Sequence, residues 1–160
     1  MWRMDAQQPD TGRSDPEQSD SEQSDSEQTD AEQFRLLAED ALNQLPARFR
    51  MAMENVVIIT DEFAETEVLN QMQVSSPGHL LGLYEGRPIT ERDSGDTNAL
   101  PDVIHLYRQP ILSMCRANGE STEQCVREVL IHEIGHYFGF SDADMERIES
   151  AADHFRRAAA

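Results

Sequence analysis

The chain has 160 residues, enough for one domain around one moderate core. Its 31 acidic residues face only 13 basic ones, all arginine, for a formal charge of −18. That balance argues against nucleic acid and anionic membrane surfaces as partners, because both require positive charge.

The first residues, Met-Trp-Arg-Met-Asp-Ala-Gln-Gln-Pro-Asp, contain no apolar run, so no secretory signal is expected. The longest aliphatic run, Val56-Val57-Ile58-Ile59, is far too short to span a membrane. From 14 to 33 a five-residue acidic unit of the type Ser-Asp-Ser-Glu-Gln repeats four times. Residues 1–33 hold ten acids and two arginines, with Trp2 the sole aromatic. Such composition cannot bury enough apolar surface to offset its ordering entropy, so residues 1–30 are expected to form a disordered acidic tail. The remaining residues, 31–160, form the expected domain.

Thr29 and Glu32 have capping-box spacing, and Phe34, Leu37, Ala38, Ala41 and Leu45 recur at helical intervals. They predict a helix over about 30–44, stopped by Pro46, with a short helical turn through 46–53. Residues 56–60 are β-branched and apolar, the composition of a buried strand. Residues 81–84 and 87–90 flank Glu85-Gly86 as the arms of a β-hairpin, with Pro88 placing the second arm on an edge. Residues 92–100 form a polar loop, 103–108 a further strand, and 110–116 a short helix. The strand at 103–108 is the expected free edge, where an extended peptide could add by strand pairing. Ser121, three residues before Gln124, starts a long helix. A last helix is expected over 142–157. Helices around a small mixed β-sheet make the predicted fold class α+β.

The chemistry concentrates at 132–142, His-Glu-Ile-Gly-His-Tyr-Phe-Gly-Phe-Ser-Asp. On a helix, His132 and His136 project from one face and can bind one zinc ion, while Glu133 stands where such a site keeps its general base. Around the helix, Leu130, Ile131, Ile134 and Phe138 form one apolar arc, and Val129, His132 and His136 a second. Gly135 falls on the seam between them. A glycine inside a helix costs about 1 kcal/mol against alanine, so close packing is expected there. Gly139 can end the helix in a left-handed conformation and turn Asp142 back toward the histidines. A catalytic zinc takes three protein ligands plus water; Asp142 is the expected third, with Glu146 and Glu149 as alternatives and an N-cap role for Asp142 as the competing reading. Cys115 and Cys125 read as reduced thiols of a cytoplasmic protein. Cys125 precedes His132 by two turns, roughly 10 Å, and is not expected to be a ligand. His79 and His154 are expected at the surface.

Together with Leu-Leu-Gly-Leu-Tyr-Glu-Gly at 80–86 and Leu-Pro-Asp-Val-Ile-His-Leu-Tyr-Arg-Gln-Pro at 100–110, this stretch resembles a bacterial family of minimal zincin-like metallopeptidases. The resemblance spans about residues 31–150 and implies a compact zincin-like fold, one zinc ion and peptidase activity. The expected reaction is hydrolysis of a peptide or protein substrate in extended conformation, with His132, His136 and Asp142 on the metal and Glu133 as base. Tyr107, His105, Arg108 and Tyr137 are the open candidates for an oxyanion partner. Two alternatives come from other classes. A zincin-like endoribonuclease is disfavoured by the negative charge and the glutamate beside His132. A non-catalytic, metal-stabilised binding module would use four protein ligands instead of three.

Overall fold

A computed structural model describes residues 19–92 and 100–147, with side chains from residue 30 onward. The elements in order are α1 (Ser19–Asn43), α2 (Ala47–Ala52), β1 (Val56–Asp61), α3 (Thr66–Gln71), β2 (Gly82–Glu85), β3 (Asp102–Tyr107), α4 (Arg108–Asn118) and α5 (Thr122–Tyr137). Short 3-10 turns occupy Pro77–His79 and Ile89–Glu91, and residues 142–147 are helical. The sheet is mixed, in the order β1-β3-β2, with β3 parallel to β1 and antiparallel to β2. The fold class is therefore α+β, as the pattern of elements predicts.

One face of the sheet carries the core. Ile104 and Leu106 of β3 are wholly buried against Phe34 and Ala38 of α1, Ile111 of α4, and Val126, Leu130 and Ile134 of α5. Among the described residues, the other face is covered toward one end, where Tyr107 and Leu83 pack with Ala64, Val68 and Leu69 from the α3 region. Burial along β1 accordingly alternates, leaving Val57 and Ile59 exposed. The expectation of a buried strand at 56–60 is corrected for one face: β1 lies at a sheet edge, with Val57 and Ile59 on its open side.

Helix α1 begins at Ser19, eleven residues before its predicted start. The repeat contains neither proline nor glycine after Pro16, and glutamate and glutamine are good helix formers. Acidic residues in the first turns also complement the helix dipole, so the helix extends beyond the part that packs. Only residues 1–18 of the expected tail lie outside the described residues.

The predicted hairpin is not formed. β2 pairs with β3 instead, and the chain after Gly86 leaves the sheet. Pro88, which lacks a donor, leads into the 3-10 turn at Ile89–Glu91. A Cβ on Gly86 would collide with the Asp102 carboxylate and the Tyr84 hydroxyl. Arg92 then ties the segment down: its guanidinium pairs with buried Asp102 and lies over the Tyr137 ring, 5.3 Å from the centroid. The rest of the predicted polar loop, 93–99, lies outside the described residues. Nor is β3 an edge strand. It runs down the middle of the sheet, because its alternating buried residues face three helices while both its backbone edges are paired. The free edge beside the helices belongs to β2.

Ile104→Ala should lower unfolding free energy by about 3 kcal/mol, since it opens a cavity under a fully buried side chain. Ile59→Ala, on the open face, should cost less than about 1 kcal/mol. Urea denaturation midpoints of the two variants check this asymmetry; equal losses would contradict the one-sided core.

Candidate metal centre

Helix α5 starts where expected. The Ser121 hydroxyl accepts the Gln124 backbone N–H at 3.2 Å, and Cys125, Val126, Val129, Leu130, Ile134 and Tyr137 anchor the helix in the core. Ile131, assigned to the core-facing arc from the sequence, is 40% exposed and lines a cleft instead. His132 and His136 sit on that cleft side, rings 5.0 Å apart and nearly perpendicular.

The helix ends in a tight reversal. Gly139 has φ of +91°, its N–H donates to His136 O at 2.9 Å, and the Phe140 N–H donates to Gly135 O at 3.0 Å. These are the paired bonds of a Schellman termination. Thr90 fills the space where a side chain on residue 139 would project, with Cγ2 only 2.9 Å from an ideal Cβ. The following helical segment is capped by Ser141, whose hydroxyl accepts the Asp144 N–H at 3.2 Å and donates to the Asp144 carboxylate at 2.7 Å. Ser141 thus takes the N-cap role, and Asp142 follows it with its carboxylate directed at the histidines. Met145 of the same segment is buried over Gly135, where any Cβ would overlap its sulfur. The helix-interior glycine therefore marks the close packing its energetic cost suggests.

The outcome is a three-residue cluster. Asp142 Oδ1 lies 3.0 Å from His136 Nε2 and 3.5 Å from His132 Nε2, and the three ligand atoms fall within 4.8 Å of one another. Donors at 2.0–2.1 Å in a tetrahedral zinc site are separated by about 3.3 Å, so two nitrogens and one oxygen at these spacings match that ion. His136 Nδ1 is 2.8 Å from the Phe140 carbonyl, which takes the ring proton there and leaves Nε2 free to coordinate. Phe140 is held in that place by the same reversal that carries Asp142. Among the described residues, only His132, His136 and Asp142 form such a group. Glu146 is not part of it, and Glu149 and His154 lie outside the described residues. Cys125 is fully buried, with its thiol pushed up to about 12 chiefly by burial, and His79 is exposed.

Glu133 is 7% exposed and lies beneath the edge of β2. An ideal Cβ on Gly82 would sit 3.1 Å from the Glu133 carboxylate, and the Tyr84 backbone N–H is turned toward that carboxylate and favours its charged form. Burial pushes the acid above its ordinary range; His136, His132 and the Tyr84 N–H act in the opposite direction. The Tyr107 N–H donates to Leu81 O at 2.9 Å, so the alternation of an antiparallel strand turns the N–H and C=O groups of Gly82 and Tyr84 away from β3. They face a cleft of about 950 Å³ lined by Leu80 to Tyr84, Met114, Glu128, Val129, His132, Glu133, His136 and Asp142, among others.

A family model described as "Zincin-like metallopeptidase" matches residues 53–152, well over half of the chain. The chain belongs to the zincin-like metallopeptidases. No curated protein matches it. The family match contains the sheet, the histidine helix and the Asp142 turn; α1 and α2 precede it.

None of the oxyanion candidates read from the sequence lines the zincin-like cleft. Tyr107 is buried beside α3, His105 lies between Asp61 (3.6 Å) and Glu85 (3.4 Å), Arg108 binds Glu62 at 2.8 Å, and the Tyr137 hydroxyl donates to Ala52 O at 2.6 Å. Conversely, the contribution of Gly82, the Tyr84 N–H and Thr90 was not read from the sequence. Only the glycine inside an apolar strand offered a signal, as a place of close backbone approach.

Two consequences can be measured. A carboxyl whose folded pKa lies above its unfolded value near 4.5 stabilises the fold below that pH and loses the contribution as pH rises through the folded value. Metal-free Glu133→Gln should therefore melt higher than the parent at pH 7, with the difference vanishing near pH 4; an unchanged difference across that range would refute the burial argument. Gly139→Ala forces a left-handed residue at about 1–2 kcal/mol and pushes on Thr90, so zinc affinity should fall at least about tenfold in a competition titration.

Proposed function

We propose that the protein is a zinc-dependent peptidase that hydrolyses extended peptide segments lying along the free edge of β2. One observation carries this reading: His132, His136 and Asp142 converge at ligand spacing while Glu133 is held beside them, under an open strand edge. His132 and His136 would hold the ion through Nε2 and Asp142 through a carboxylate oxygen, three protein ligands that would leave room for a water. Zinc bound there supplies a Lewis acid for the scissile carbonyl and lowers the pKa of its water toward 7.

The protein's own residues do the rest. The outward-facing N–H and C=O of Gly82 and the C=O of Tyr84 can pair with the substrate main chain and align the cleaved bond over the site. The Glu133 carboxylate accepts a proton from the attacking water as its oxygen bonds to the carbonyl carbon. It then returns that proton to the amine nitrogen as the C–N bond breaks. Its buried position keeps it poised closer to the working pH than a solvated carboxylate, and the Tyr84 N–H beside it favours the charged form that accepts the proton.

Glu133→Gln should retain one zinc per chain and lose about 10²–10⁴-fold in kcat. His132→Ala and His136→Ala should fail to retain zinc by elemental analysis. Parent-like peptide cleavage by Glu133→Gln would remove the assigned base, and a parent protein that takes up no zinc would remove the whole reading.

A further inference from the structure

The cleft extends beyond the metal centre toward the N-terminal end of α5, and what lines that extension has no part in holding the ion. Glu128 lies one turn before His132 on the same helix face, about 5–6 Å away between Cβ atoms. Glu120 stands just before the Ser121 cap, twelve residues from His132 and thus about 18 Å along the helix. The same wall carries apolar side chains, Val129 from α5, Met114 from α4 and Leu81 beside β2, together with Asn118. At about 3.3 Å per residue, an extended chain would cover that distance with roughly five residues.

We propose that this extension selects substrates with a basic side chain, arginine or lysine, close to the cleaved bond and directed toward Glu128. The proposal rests on the peptidase reading and names the substrate class for the same cleft. A long basic side chain suits the lining in both parts: its methylene stem packs on Met114, Val129 and Leu81, and its charged head reaches a carboxylate. The described partners of the two glutamates are neutral. Gln124 Nε2 meets Glu128 at 3.4 Å, while Glu120 receives Asn118 Nδ2 at 3.5 Å and the Cys125 thiol at 3.6 Å. Among the described residues no arginine lines the cleft, so no basic side chain other than the two histidines of the metal centre faces the glutamates there. An acidic substrate side chain would meet repulsion at the same place. The overall charge of −18 adds attraction for any cationic peptide, which makes a charge-matched control necessary.

The test uses the zinc-loaded full chain and short peptides identical except for lysine, glutamine or glutamate at each position flanking one leucine–leucine bond. At one flanking position, kcat/KM should favour lysine over glutamine by about three- to tenfold, the size expected of a partly solvated ion pair, and disfavour glutamate. Glu128→Gln should erase most of that preference. Glu123→Gln removes the same charge from a part of α5 outside the cleft and should preserve it. Equal cleavage of all three peptides, or an equal effect of the two substitutions, would overturn the proposal. Binding of the same peptides to zinc-loaded Glu133→Gln, by fluorescence anisotropy, separates the two readings. Charge-selective binding without cleavage by the parent would sink the peptidase reading and leave the subsite standing. Cleavage without charge selectivity would do the reverse, and absence of binding and cleavage alike would overturn both.

Discussion

The site depends on one left-handed residue. Gly139 ends α5 within a single turn of His136, and the reversal sends the chain back so that Asp142 meets both imidazoles. Three separate contacts hold that reversal in place. Thr90 occupies the space above Gly139, Met145 the space above Gly135, and Ser141 caps the segment that carries Asp142. The first of these joins the turn to the connection between β2 and β3, which Arg92 fastens to the sheet through buried Asp102. The cluster is therefore fixed from the sheet side as well as from its own helix. Asp142 itself is largely exposed, 82% by side chain, so its position comes from the backbone that presents it rather than from packing around it.

The electrostatic arrangement opposes two tendencies. Burying Glu133 disfavours its charged form, as for any carboxylate removed from water. The neighbouring histidines and the Tyr84 N–H offset part of that cost without neutralising the group. A carboxylate on the solvent side of α5 would be more stable and less basic. Gly82 is what permits the buried placement, since a larger residue in β2 would occupy the volume the carboxylate uses. The strand edge proposed to receive a peptide and the strand that covers Glu133 are thus the same four residues.

The asymmetry of the sheet follows from the same layout. Helices α1, α4 and α5 all cover one face, leaving Val57 and Ile59 open on the other. Placing β3 in the middle puts its fully buried residues under the helices and leaves β2 at the border of the cleft. Among the described residues no helix is long and apolar enough to cross a membrane, in keeping with the polarity of the chain.

Much of the site was legible in the sequence because its determinants are local. The four-residue spacing of His132 and His136, the Ser121 cap and the turn at Gly139 operate within one helix and its termination, where periodicity and backbone sterics suffice. Family resemblance rests on the same local stretches, and the fold class follows from their order. Which strand lies at the edge, which arc of α5 reaches the core and whether residues 87–90 pair as a hairpin arm were decided elsewhere. Residues distant along the chain settled them: Arg92 with Asp102, Thr90 with Gly139, Gly82 with Glu133. A strand pattern specifies which side chains alternate, but not which neighbour takes up the backbone hydrogen bonds. That choice depends on packing between distant segments, and only the tertiary structure made it.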